Sequence, residues 1–154
     1  MSKRKYCELI DQVCARCGID DPQSMYDVCD LIVMDVAFTL LYREAIDGVV
    51  LFCDYGEAPE ENRSQILQSL LEANTYTFDF NTPCFTINPE TKHVLLRAHL
   101  PLEILTPEEL LSTLGAHAAA ANLWRKTYLL DGAFGLGQGK FPGASPTSMS
   151  SVVN

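Results

Sequence analysis

Val36-Ala-Phe-Thr-Leu-Leu-Tyr-Arg43 is the stretch on which the fold turns. Val36, Phe38, Leu40 and Tyr42 point one way, and Ala37, Thr39, Leu41 and Arg43 the other, which is the two-residue period of a β-strand. Upstream, Val28 to Met34 is a β-rich run with Asp30 inside it, as expected of an edge strand. Downstream, Ile46-Asp47-Gly48 is turn chemistry and Val49 to Tyr55 a further strand. The connections are too short for parallel crossovers, so the three strands form an antiparallel meander.

Working outward, residues 4–17 place Tyr6, Leu9, Ile10, Val13 and Cys17 three or four apart, an amphipathic helix stopped by Gly18. After the meander, Pro59, Glu60 and Glu61 read as the first turn of a second helix. Its apolar stripe is Ile66, Leu67, Leu70 and Leu71, and it ends near Asn74. Cys84 to Asn88 and His93 to Leu100 are two more strands, joined by the turn Pro89-Glu-Thr-Lys92. In Thr106-Pro-Glu-Glu109, Thr caps a helix, Pro fits its first position and Glu109 completes a capping box. That helix runs to about Tyr128. The expected class is therefore α+β, helix–three strands–helix–two strands–helix, with helices packed on a twisted, largely antiparallel sheet.

The 154 residues divide into one domain over 1–130 and a tail over 131–154, where five of the nine glycines gather with Pro142, Pro146 and four serines. A 47% hydrophobic and 20% charged composition is that of a folded domain. Eleven Lys and Arg stand against 20 Asp and Glu, a net charge of -9 that repels phosphate backbones and anionic lipid and so argues against nucleic-acid and membrane ligands. No apolar run approaches the ~20 residues of a membrane-spanning helix. The basic start Met-Ser-Lys-Arg-Lys is followed by Glu8, Asp11 and Gln12 where an export signal needs apolar residues, so a cytosolic chain with six free thiols is expected.

Chemistry-bearing patterns are few. Cys14-Ala-Arg-Cys17 is a Cys-x-x-Cys motif, but no second pair and no His-x-x-x-His accompanies it, and it closes a helix where a thiolate is disfavoured. The expectation is no metal, no cofactor and dispensable Cys14 and Cys17. His93, His99 and His117 are scattered and lack a nucleophile motif. Gly135-Leu-Gly-Gln-Gly-Lys140 is not followed by a helix and so is no phosphate loop. No catalytic constellation remains, and the chain does not read as an enzyme. Strands 36–42 and 49–55 carry large side chains on both faces, which leaves open a partner surface or a second intramolecular layer.

Several words in fixed order carry a resemblance: Gly56-Glu-Ala-Pro59, Leu70-Leu-Glu-Ala-Asn74, Phe85-Thr-Ile-Asn-Pro-Glu-Thr-Lys-His-Val-Leu-Leu96, Leu100-Pro-Leu102, Thr106-Pro-Glu-Glu-Leu110 and Ala121-Asn-Leu-Trp124. Over residues 4–128 the chain resembles the class I type III secretion chaperones of the Tir-chaperone family. Where that family often has an Asp-Gly-type turn, this chain reads Ile32-Val-Met-Asp-Val36. The resemblance implies a homodimer in the bacterial cytoplasm, without catalysis or cofactor. It would bind the extended N-terminal segment of a secreted effector, keep it secretion-competent and deliver it to the secretion apparatus, with the secretion ATPase as a further contact. It implies a dimer contact through Ile66, Leu67, Leu70 and Leu71. Effector contact is expected at Tyr6, Leu9, Ile10 and Val13 together with Val36, Phe38, Leu40 and Tyr42. The alternatives are a non-chaperone binding or regulatory module of similar fold, and a thiol or metal protein using Cys14 and Cys17.

Overall fold

A computed structural model describes residues 2–75 and 81–130. The tail beyond residue 130 lies outside them. The elements are α1 (Ser2–Cys17), β1 (Cys29–Val33), β2 (Val36–Arg43), β3 (Gly48–Glu57), α2 (Arg63–Asn74), β4 (Cys84–Ile87), β5 (His93–Pro101) and α3 (Pro107–Thr127), with short 3-10 turns at Gln23–Met25 and Glu44–Ile46. This is the expected α+β order. The five strands form one antiparallel sheet in the order β1-β2-β3-β5-β4.

Alternation in the sequence becomes sidedness in space. Val36, Phe38 and Leu40 of β2 are buried, as are Val49, Leu51, Cys53 and Tyr55 of β3 and Val94, Leu96 and Ala98 of β5. They share one face with Cys29 and Leu31 of β1, and the inner sides of all three helices pack on that face. Tyr6, Leu9, Ile10 and Val13 come from α1, and Leu110, Leu114, Ala118, Ala121 and Trp124 from α3. The thin Ala118–Ala121 run lets α3 lie close to the sheet. Trp124 meets Tyr55 edge-on at 5.7 Å and Tyr128 at 5.1 Å. The capping box at the start of α3 is present in full: Glu109 N–H donates to Thr106 Oγ1 at 3.2 Å, and Thr106 N–H donates to Glu109 Oε2 at 2.9 Å.

One local expectation needed correction. Pro59, Glu60 and Glu61 are not helical; α2 begins at Arg63. The Arg63 guanidinium reaches back to the Ala58 carbonyl at 2.9 Å and pairs with Glu57, holding residues 58–62 as a loop. At the β1–β2 connection, Val33 pairs with Val36 across a two-residue turn, with φ +51° at Met34 and +61° at Asp35. Both positive φ values match the type I′ hairpin that Asn-Gly or Asp-Gly usually supplies. Met34 occupies a backbone state that costs a side-chain-bearing residue ~1 kcal/mol. Met34→Gly is accordingly expected to raise stability by about 0.5–1 kcal/mol, read from the midpoint of urea denaturation.

That turn is clamped from α3. Asn122 Nδ2 donates to the Met34 carbonyl at 2.8 Å, and Arg125 Nη1 to the Asp35 carbonyl at 3.1 Å. The same guanidinium donates to the Asp54 carbonyl at 2.8 Å and the Tyr55 carbonyl at 3.1 Å, beside the β-bulge between Asp54 and Gly56. One side chain thus serves three carbonyls, one in the β1–β2 turn and two on β3. Arg125→Met keeps the stem and removes all three bonds. It should lower stability by about 3 kcal/mol, since charge-assisted bonds contribute ~1.5–3 kcal/mol each but do not add fully; Arg125→Lys should lose less.

Candidate functional site

The sequence-derived binding residues lie inside the molecule. Tyr6, Ile10, Val13, Val36 and Leu40 have no exposed surface, Leu9 and Phe38 almost none, and Tyr42 is half-buried with its ring stacked on Tyr6 at 5.5 Å. The structure therefore corrects the expectation that they form a surface. The apolar stripe of α1 and the apolar face of β2 cover each other's side of one core, and neither is available to a ligand in the folded chain.

The open apolar surface is the opposite side of the sheet. All buried strand residues except Gly48 and Val50 face the helices, and no helix among the described residues packs on the other side. That side carries Ile32, 77% exposed, with half-buried Leu41, Phe52 and Leu95. Ala37, Thr39, Leu41, Phe52 and Leu95 line a shallow depression of about 310 Å³, bounded by Asp54 and Asn88. Of the two options left open by the double-sided strands, a second intramolecular layer is absent among the described residues.

The two sheet edges differ. At β4, the Asn74 side chain at the end of α2 bonds the backbone of Phe85 in both directions: Nδ2 donates to its carbonyl at 2.9 Å and Oδ1 accepts from its N–H at 2.7 Å. The side chain imitates a neighbouring strand. At β1 no described strand lies beyond Cys29–Val33, and Asp30 and Ile32 project from it exposed. A free edge with an inserted charge is the usual form of a strand that must avoid indiscriminate pairing yet can accept an added strand.

The second-helix stripe is split rather than continuous. Leu70 is buried against the core, Ile66 and Leu67 are half-buried, and Leu71 is 69% exposed. Consecutive helical residues point ~100° apart, so Leu70 and Leu71 cannot share one face. The outward part, Leu67 and Leu71, meets Thr86 and Ile87 of β4 around a cleft of about 300 Å³. Ile87 is itself 44% exposed. Sequence reading missed Ile87, because a four-residue strand offers too little alternation to show its outward face.

The remaining polar groups do not assemble catalytic chemistry. His93 Nδ1 pairs with the Asp54 carboxylate at 2.9 Å, and that carboxylate also accepts the Gly56 N–H at 2.7 Å, which ties it to the bulge. His93 and His99 sit six residues apart on β5, about 20 Å along a strand. Burial lowers the pKa of the His117 imidazole and, together with the charge of Arg97, that of His99. Burial pushes the Cys53 thiol up to about 12. Among the described residues there is no group of three or more His, Cys, Asp or Glu able to hold a metal ion, and no helix long and apolar enough to cross a membrane.

With this geometry in hand, similarity to known proteins is informative. The model of the Tir chaperone protein (CesT) family matches residues 8–125. The chain belongs to the Tir chaperone protein (CesT) family. It is thus a type III effector chaperone, as the resemblance implied, and its family is one of chaperones rather than enzymes. Solved structures share the fold. A chain in the ExsC–ExsE complex superposes with a TM-score of 0.67 at 22% identity, covering 82% of this chain and 95% of that one. The HopA1–SchA chaperone–effector complex gives 0.63 at 17%, covering 82% and 98%. The ExoT–SpcS complex from Pseudomonas aeruginosa gives 0.53 at 21%, covering 77% and 96%. No curated protein sequence is similar enough to count as a relative.

Proposed function

We propose that this Tir-family chaperone holds the N-terminal chaperone-binding segment of a secreted effector in extended form, along the free edge of β1 and across the uncovered sheet face. The observation that carries this reading is the apolar surface of Ile32, Leu41, Phe52 and Leu95, which no covering layer and no further strand beside β1 closes off among the described residues. An extended segment gains main-chain hydrogen bonds at such an edge and buries alternate side chains on the adjoining face, which offsets the cost of ordering it. The structural neighbours are complexes, one of them of a chaperone with its effector, and this supports the reading.

The working form is a homodimer in the bacterial cytoplasm, joined through Leu67, Leu71 and Ile87, which keeps the secreted protein partly unfolded and passes it to the secretion ATPase. The net charge of -9 favours a segment carrying basic residues, and binding should weaken as salt rises.

The test is capture of the effector's N-terminal segment. Ile32→Asp and Phe52→Asp alter the open face without touching the helix-covered core. Each should weaken binding by about tenfold or more while circular dichroism and melting temperature stay put. Unchanged affinity in both variants would move the binding surface elsewhere on the molecule.

A further inference from the structure

Three sulfur atoms from three segments meet where the end of α1 passes the start of β1. Cys14 is on α1, Met25 closes the 3-10 turn Gln23–Met25, and Cys29 opens β1. Cys14 Sγ lies 3.7 Å from Met25 Sδ, and Cys29 Sγ lies 4.0 Å from the same atom. Both thiols are buried, and Met25 is half-buried above them. An ion bonded in a plane to three sulfurs at about 2.3 Å each requires sulfur–sulfur separations of about 4 Å. The two observed edges already have that length. Two thiolates and a thioether are a soft donor set that suits copper(I) and is poor for zinc, magnesium or calcium.

A second feature marks the same place. The buried Tyr6 hydroxyl has no hydrogen-bond partner among the described residues. Tyr6 belongs to the same packed core as Cys14 and Cys29, and burial is the main suppressor of its ionisation. A neutral thiol is a weak acceptor, whereas a metal-bound thiolate is a strong one that would take the phenolic O–H as its outer support. Access is provided by Cys17, exposed and one helical turn beyond Cys14.

We propose that Cys14, Cys29 and Met25 form a copper(I) site, supported by the Tyr6 hydroxyl and loaded through Cys17. Each cysteine releases its proton to solvent as its sulfur–copper bond forms, and the oxidation state of the ion does not change. The expectation of no metal rested on the lack of a second Cys or His pair in the sequence. The fold supplies the missing donors from residues eight and twelve positions beyond Cys17.

Anaerobic titration of the full chain with copper(I), in competition with a chromogenic copper(I) chelator, tests the site. Wild type should retain one ion per chain, and its melting temperature should rise on loading. Met25→Leu conserves volume and should leave the copper-free melting temperature within a few degrees while cutting affinity at least about tenfold. Cys29→Ala should abolish retention. Tyr6→Phe, which removes only an oxygen, should cost about tenfold in affinity. Cys17→Ser should slow loading and leave affinity unchanged. The proposal is overturned if wild type yields all its copper to the chelator, or if Met25→Leu binds as wild type does, which would place the ion away from this sulfur cluster. Should Cys29→Ala fail to fold, Met25→Leu and Tyr6→Phe still decide.

Discussion

Leu9→Glu and Phe38→Glu are expected to unfold the chain rather than to impair binding selectively. Leu9 is 5% exposed and Phe38 1%, on the two sides of one core. A carboxylate there has no partner and must either stay charged in an apolar setting or take up a proton to enter it. Each substitution also loses the burial of a large side chain, worth ~1.5–3 kcal/mol by area alone. The combined loss should be about 4 kcal/mol or more, most of the stability of a typical domain. Circular dichroism should show collapse of the melting transition, with aggregation at working concentration. A cooperative melt within a few degrees of wild type, together with lost effector capture, would mean that these side chains are reachable after all.

Leu71→Asp is expected to convert the proposed dimer to monomer without unfolding the chain. Leu71 and Ile87 are large aliphatic side chains that project outward around one cleft, and an apolar centre of this kind is what a homodimer interface requires. A charge at its centre should weaken association at least about a hundredfold, in line with the cost of truncating an interface hot spot. Leu70→Asp is the contrasting variant: Leu70 is buried within the chain, so it should lose its fold instead. Sedimentation equilibrium at micromolar concentration reads both. A monomeric wild type would remove the dimer from the proposal, and a dimeric Leu71→Asp would move the interface off this surface.

Much of the architecture was legible because its signals are local. Alternation in residues 36–43, the Thr106–Glu109 capping box and the periodic leucines each depend on neighbours a few positions apart. The direction of burial was not legible, because it is decided by distant segments. Tyr6 and Phe38 look the same in sequence whether they meet each other's layer or a foreign chain. Only the packing of α1 and α3 on one side of the sheet separates Phe38, which is core, from Phe52, which is half-buried on the open side. The turn at Met34–Asp35 was opaque for a related reason. Its backbone is held by Asn122 and Arg125, 88 and 90 residues away, so the usual glycine signal is absent.

The position of α3 has a consequence during synthesis. The meander 29–57 is complete early in the chain, yet α3, which covers its apolar side, ends at Thr127. At ~5–20 residues per second the ribosome needs about 4–14 s to add the intervening stretch. Throughout that interval the part of the core side of β1 to β3 that α3 will cover stays open on the nascent chain, and it is more apolar than the side left open at the end. The chaperone is therefore itself a client for protection before it can protect anything, and the late arrival of α3 marks the moment at which it stops offering the wrong face.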